Sequence, residues 1–150
     1  LSGYSIAVGS FLLLAGRLAD QKGRRKLFQI GVAIFVAGSF LSAVAPTPGL
    51  LIAARVLQGI GGSILSPASL SMVLPEFPAE RRSLVIGIWG ASAALGAAIG
   101  PSIGAIILDL LTWRWVFLVN IPIGLVILIV TPRFVRESRD PDARGGYDLV

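Results

Sequence analysis

Gly16-Arg17-Leu18-Ala19-Asp20-Gln21-Lys22-Gly23-Arg24-Arg25-Lys26 is a dense, mostly basic string wedged between two long apolar runs. The run before it extends from Leu1 to about Leu18, the run after it from Leu27 to about Ala45. A short charged connector between apolar stretches of this length reads as a loop between membrane spans. Its Lys and Arg content then fixes which way the chain is threaded.

Working outward from that loop, five spans can be drawn, over about residues 1–18, 27–45, 50–74, 83–108 and 115–130. Each is near the roughly 20 residues needed to cross ~30 Å of hydrocarbon. Pro46-Thr47-Pro48-Gly49 is a turn that ends the second span, and Pro75-Glu76-Phe77-Pro78 ends the third. A polar, Pro- and Gly-containing segment over residues 133–150 reads as a linker to a further helix. Helix is the form expected for the spans, because an open sheet leaves backbone groups unsatisfied in lipid and barrel strands are shorter and alternating. Leu1 already lies within an apolar run and no initiator Met precedes it, so the chain is expected to be an internal piece of a longer protein.

The basic residues sort by side. Eleven of the thirteen Lys and Arg fall in the first loop, the Arg81-Arg82 connector and the tail (Arg133, Arg136, Arg139, Arg144). On the opposite side the Pro46–Gly49 turn has none, and the other turn has only Arg114. The positive-inside rule therefore places loops 19–26 and 75–82 and the tail 133–150 in the cytoplasm of a multi-pass plasma-membrane protein. Trp113 and Trp115 then lie at the outer interface, where indoles prefer to sit.

Composition agrees. Hydrophobic residues make up 55% of the chain and charged residues 14%, against about 25% charged in soluble domains. The net charge of +5 would suggest a nucleic-acid partner in a soluble protein. Here the charges cluster at the ends of apolar blocks, so topology is the better reading and no nucleic acid is expected. The chain has no Cys and no His. That removes thiolate chemistry and the common transition-metal ligands from this stretch, and neither a metal nor a cofactor is expected.

Four groups of residues exceed what topology needs. Arg55 lies inside the third span, followed by Gln58, Gly59 and Gly62 on the same helical face. An Arg in hydrocarbon costs about 2.5–3.5 kcal/mol on insertion scales, so it calls for a wet cavity or a partner. Snorkelling to the outer interface is the structural alternative. In the fourth span Ser92, Gly96, Gly100 and Gly104 recur every four residues, with Pro101 embedded. Small residues at that spacing let helices approach closely, and Pro removes one backbone bond and bends the helix. Plain helix packing is the structural alternative for such a stripe, but a run of this length with an embedded Pro suggests a helix that must bend or slide. In the first loop, Asp20 interrupts the positive run between Gly16 and Gly23, and Gly23 suits a turn at positive φ. Asp20 is suited to accept hydrogen bonds from a helix N-terminus. The fifth span opens Trp113-Arg114-Trp115-Val116-Phe117-Leu118-Val119-Asn120-Ile121-Pro122-Ile123-Gly124. An aromatic belt and a Pro kink explain most of that string, but a buried Asn120 amide needs partners.

These strings resemble, in the same order, motifs of the Major Facilitator Superfamily. The Gly16–Arg25 loop is similar to that family's signature between helices two and three, with Gln21 where Arg is usual. Arg55 with Gln58-Gly59-Ile60-Gly61-Gly62 resembles the helix-four motif. Gly96–Ala105 resembles the helix-five antiporter motif, with Ala105 where a second Gly is common. Trp113–Gly124 is similar to the start of helix six in the fourteen-span drug:proton antiporters of the EmrB/QacA type. The resemblance implies an all-α integral membrane fold in which the five spans are helices two to six of an incomplete N-terminal six-helix bundle, residues 1–132. It implies that Gly16, Asp20, Gly23, Arg24 and Arg25 form a latch between the two halves of the transporter. It gives Arg55, with Gln58 and Gly59, a part in proton coupling. It gives Gly96, Gly100, Pro101 and Gly104 control of cavity closure, and marks Trp113, Arg114, Asn120 and Pro122 as the helix-six motif.

The function so implied is efflux of hydrophobic or cationic drugs in exchange for protons by alternating access, with no enzymatic step. The expected partners are a small-molecule substrate, protons, the lipid bilayer and the remaining helices. No carboxylate falls in mid-span here: Glu76 lies at one end, Asp109 at the other and Asp20 in the loop. A proton-coupled carrier needs an acid whose pKa is raised by desolvation. The resemblance places that acid in helix one, ahead of Leu1. A nutrient symporter or facilitator of the same fold, a non-transporting membrane scaffold and, most weakly, a membrane enzyme are the alternatives.

Overall fold

Every regular element in the computed structural model, which describes residues 23–135, is helical. Gly23 takes φ 99°, a conformation that a Cβ disfavours, and turns the chain into α1, Arg24–Val44. Ala45 leaves the helical conformation, Thr47 is extended, and α2, Pro48–Val73, follows. The Thr47 hydroxyl accepts from the Leu50 N–H at 3.3 Å, and Pro48 occupies the first turn of α2. Pro48 and Gly49 of the expected turn are thus helical. A proline at the helix start lacks only an N–H that would have no partner there, and its φ already fits. α2 continues through Pro67.

Two short 3₁₀ turns, Leu74–Glu76 and Ala79–Arg81, flank Phe77-Pro78 and lead into α3, Arg82–Leu110, which runs through Pro101 without interruption. After Leu111 the chain forms a single helical turn, α4, Trp115–Leu118, and then α5, Asn120–Phe134. Val119 separates α4 from α5. Pro122 has no N–H to give the Leu118 carbonyl and its ring crowds that oxygen, which explains a break at this point. Among the described residues four stretches are long and apolar enough to cross a membrane, Arg24–Val44, Pro48–Glu76, Ala79–Leu110 and Trp115–Phe134. The span expected over residues 1–18 lies outside the described residues.

The helix α1 is the centre of the packing. A Cβ on Gly38 would stand 2.5 Å from the Gln58 backbone nitrogen, one on Gly61 2.5 Å from that of Phe35, and one on Gly31 3.0 Å from Ile64 Cγ2. As the α1 number rises the α2 number falls, so the two helices are antiparallel and touch backbone to backbone through small residues. Without a hydrophobic drive in lipid, this close approach is what holds helices together. On another side of α1, a Cβ on Gly124 would collide with Val36, and Ser39 meets Asn120. Thus α5 is antiparallel to α1 as well. Val32, Ser39 and Ser42 are the largest fully buried side chains among the described residues, all three on α1. By contrast α3 has no buried residue and is tied to α2 by the Trp89 indole, which donates to Ser69 Oγ at 3.1 Å.

Candidate functional site

The polar residues of the core converge where α1, α2 and the α4–α5 break meet. Ser39, on the face of α1 that Gly38 brings against α2, is 0% exposed. Its Oγ donates to the Phe117 carbonyl at 3.0 Å and accepts from Gln58 Nε2 at 3.0 Å and from Asn120 Nδ2 at 3.1 Å. Asn120 Nδ2 also lies 3.4 Å from the Val116 carbonyl. The amide singled out in the sequence therefore has partners on α4 and on α1.

Gln58, 3% exposed, passes the network outward. Its Oε1 accepts from Arg55 Nη1 at 2.7 Å. The two are three positions apart along α2, which sets them on one face. The Arg55 guanidinium also sits 5.4 Å from the centroid of the Phe117 ring, an attractive cation–π arrangement. Phe117 in turn meets Trp113 edge to face, with centroids 6.1 Å apart, and Arg114 lies 4.6 Å over Trp113. One continuous set of contacts thus runs from Arg114 through the aromatic pair to Arg55, Gln58 and Ser39.

Arg55 opens on a cleft of about 290 Å³ lined by Phe35, Arg55, Gln58, Gly59, Gly62 and Asn120. A Cβ on Gly59 would meet nothing within 4 Å, so its small size keeps that wall low. Among the described residues Arg55 meets an amide and a ring, but no carboxylate. A cation held by neutral groups beside a cavity is a site with room for an anionic partner.

The other expected residues are not gathered there. Gly16 and Asp20 lie outside the described residues. Arg24 Nη1 donates to the Ser71 carbonyl in the last turn of α2 at 3.1 Å, and Arg25 Nη1 donates to the Val135 carbonyl just past α5 at 3.1 Å. Both residues begin α1, but their guanidiniums reach the C-terminal ends of α2 and α5, where the macrodipole and unpaired carbonyls favour positive charge. The stripe of Gly96, Gly100 and Gly104 lies apart from the cluster. A Cβ at any of the three would meet nothing within 4 Å among the described residues. Pro122 falls in the first turn of α5, one turn from Asn120's contacts.

Ser39 and Phe117, which connect the expected residues, did not stand out in the sequence. Ser39 is one hydroxyl in a helix that also carries Ser42, and Ser42 merely returns a bond to Gly38 of its own helix at 2.8 Å. The available signal was the Gly38-Ser39 pair, small and polar, in mid-span.

Comparison with known proteins is consistent along the whole chain. The family model described as Major Facilitator Superfamily matches residues 1–146. The chain is 43% identical over 148 residues to the multidrug efflux pump LfrA of Mycolicibacterium smegmatis, covering 98% of this chain and 29% of that protein. It is 39% identical over 150 residues to the multidrug resistance protein Stp of Mycobacterium tuberculosis, covering 99% of this chain and 28% of that protein. It is 37% identical over 142 residues to the methylenomycin A resistance protein of Streptomyces coelicolor, covering 93% of this chain and 30% of that protein. The chain thus spans less than a third of the length of these relatives.

Proposed function

The chain belongs to the Major Facilitator Superfamily, and from that premise we propose that it is part of a proton-coupled exporter of hydrophobic or cationic drugs. The names of its relatives support drug efflux. In this reading the protein moves its substrate unchanged, by alternating access of two helical bundles around a midplane site.

The observation that carries the mechanism is Arg55. A guanidinium within an apolar span is costly unless it is used. Here it is oriented by Gln58 and Phe117 and left facing a cleft. An acid from the helix preceding this chain, brought to that cleft, would be held ionised by Arg55 when close and would take up a proton when the two part. Substrate and proton then alternate at one place. The glycines of the cleft wall leave the space.

The same reading makes Gly16, Asp20 and Gly23 a latch loop on the cytoplasmic side. It is supported by Arg24 and Arg25, which tie the start of α1 to the ends of α2 and α5 and so make that end of the bundle one stiff body. Loops 19–26 and 75–82 and the tail 133–150 are cytoplasmic in this arrangement. The Gly96–Gly104 face of α3, which meets no neighbour among the described residues, would slide against further helices of the full-length protein and close the cavity.

The test is proton-gradient-driven dye efflux by the full-length protein in proteoliposomes, with Arg55→Ala beside it. Efflux is expected to collapse with the gradient and with the substitution. Absence of substrate-dependent proton flux overturns the antiport reading, and uptake along with protons would show a symporter of the same fold.

A further inference from the structure

The polar cluster has a direction, set by which groups can donate. Guanidinium nitrogens only donate, so the Gln58 atom 2.7 Å from Arg55 Nη1 is the amide oxygen. The amide nitrogen is then the end that meets Ser39, donating to Oγ at 3.0 Å. The Asn120 amide nitrogen donates to the same oxygen at 3.1 Å. With two donors arriving, the Ser39 proton is directed to the Phe117 carbonyl, 3.0 Å away. A hydroxyl has one donor and two acceptor positions, so Ser39 is saturated, and reversing any one bond would leave another group unpaired.

Arg55 is held on two sides, by the Gln58 oxygen and by the face of Phe117. Ser39 is bonded to both of these supports, to the Gln58 amide nitrogen and to the backbone of Phe117. We propose that Ser39 is a positioning residue for Arg55: its hydroxyl orients the Gln58 amide and fixes the Phe117 ring, and so joins the Trp113–Pro122 segment to the cation. Ser39 is itself 0% exposed and touches no substrate. The inference rests on Arg55 being a working residue of transport. It adds that the helix-six motif acts on Arg55 through α1, with Asn120 holding the keystone hydroxyl from the third side.

A purely space-filling Ser39 makes the opposite prediction, since Ala fits the same space and favours helix. The experiment measures dye efflux by the full-length protein against dye concentration for Ser39→Ala, Ser39→Cys, Gln58→Met, the Ser39→Ala/Gln58→Met double variant and Arg55→Ala. Thermal unfolding of each is followed in detergent. Ser39→Ala is expected to lower maximal turnover about five- to tenfold, the size of losing a buried hydrogen-bond link, with KM within about twofold. Ser39→Cys, with a weak donor and acceptor, falls between Ser and Ala. The double variant is no slower than Gln58→Met alone, because both break one chain of contacts.

Loss of activity in Arg55→Ala with full activity in Ser39→Ala overturns the positioning role and leaves the function standing. Full activity in Arg55→Ala overturns the function assigned to Arg55. Additive unfolding shifts for Ser39→Ala and Gln58→Met overturn the network itself, and this holds whatever dye the protein moves. Should Ser39→Ala fail to fold, Ser39→Cys and Gln58→Met against wild type carry the same comparison.

Discussion

The helices α1 and α3 are both apolar, both rich in small residues, and packed in opposite ways. In α1, of 21 residues, Leu27, Gly31, Val32, Gly38, Ser39, Ser42 and Ala43 are buried. In α3, of 29 residues, none is. Adding a Cβ to Gly31 or Gly38 strikes the neighbouring helix, whereas adding one to Gly96, Gly100 or Gly104 reaches nothing. The regular four-residue stripe is therefore the one without a partner among the described residues, while the irregular Gly31, Gly38, Ser39 set makes the close contact. A small-residue pattern marks a helix that can pack closely. Which helix it meets depends on what the rest of the fold brings beside it.

The sharpest way to break the contrast is to enlarge a glycine of α1. Gly38→Leu drives a side chain into the Gln58 backbone, which cannot move aside as a side-chain tip could. The expected loss is about 3 kcal/mol or more, the upper end of overpacking costs. Most of the full-length protein should then fail to fold, measured as the monodisperse fraction in detergent. A well-folded Gly38→Leu would mean that α1 and α2 do not approach as described.

A smaller effect tests whether α1 is also the polar junction. Asn120→Leu removes one of the two donors to Ser39 and the bond to Val116. The expected cost is about 1–2 kcal/mol, read as a lower unfolding midpoint, with little further loss when Ser39→Ala is added. If the two losses add in full, Asn120 contributes by packing alone.

How much of this was legible follows the same division. The helical spans and the polar intruders Arg55, Gln58 and Asn120 are visible because each contrasts with its own apolar run. Ser39 shows no such contrast, since a hydroxyl can always satisfy itself on its own helix, as Ser42 does. Its cross-helix role exists only once α2 and the α4–α5 break arrive on either side of α1. Arg24 and Arg25 carry topology charge in the sequence. Their bonds to the ends of α2 and α5 depend on antiparallel neighbours, and spacing along one chain does not contain that. The boundaries of α2 were obscured by local chemistry, because Pro48 breaks a helix from inside and starts one at its first turn.

The start of α2 can be tested by one small substitution. Thr47→Ala removes the hydroxyl that accepts from Leu50 and should cost about 0.5–1 kcal/mol, since this cap is exposed. The same substitution in the connector before α3 has no counterpart, because Arg81 offers no side-chain cap there. An unchanged unfolding midpoint in Thr47→Ala would assign the start of α2 to Pro48 alone.

The smallest structural effect is expected in α3, and it is the most informative about function. Gly100→Ala places a methyl group where none of the described residues comes within 4 Å, and replaces a poor helix former with the best one. Stability of the full-length protein should hold or rise by up to about 1 kcal/mol. If the Gly96–Gly104 face is the surface on which the other half of the transporter closes, the same methyl should slow dye efflux while binding persists. The two readouts then move in opposite directions. A role confined to helix packing cannot produce that, because a methyl that obstructs a permanent contact lowers stability and activity together. Equal activity in Gly100→Ala and wild type would leave α3 as a lipid-facing helix whose glycines serve no closure. A parallel fall in both readouts would place a permanent neighbour on the stripe and make α3 resemble α1 after all.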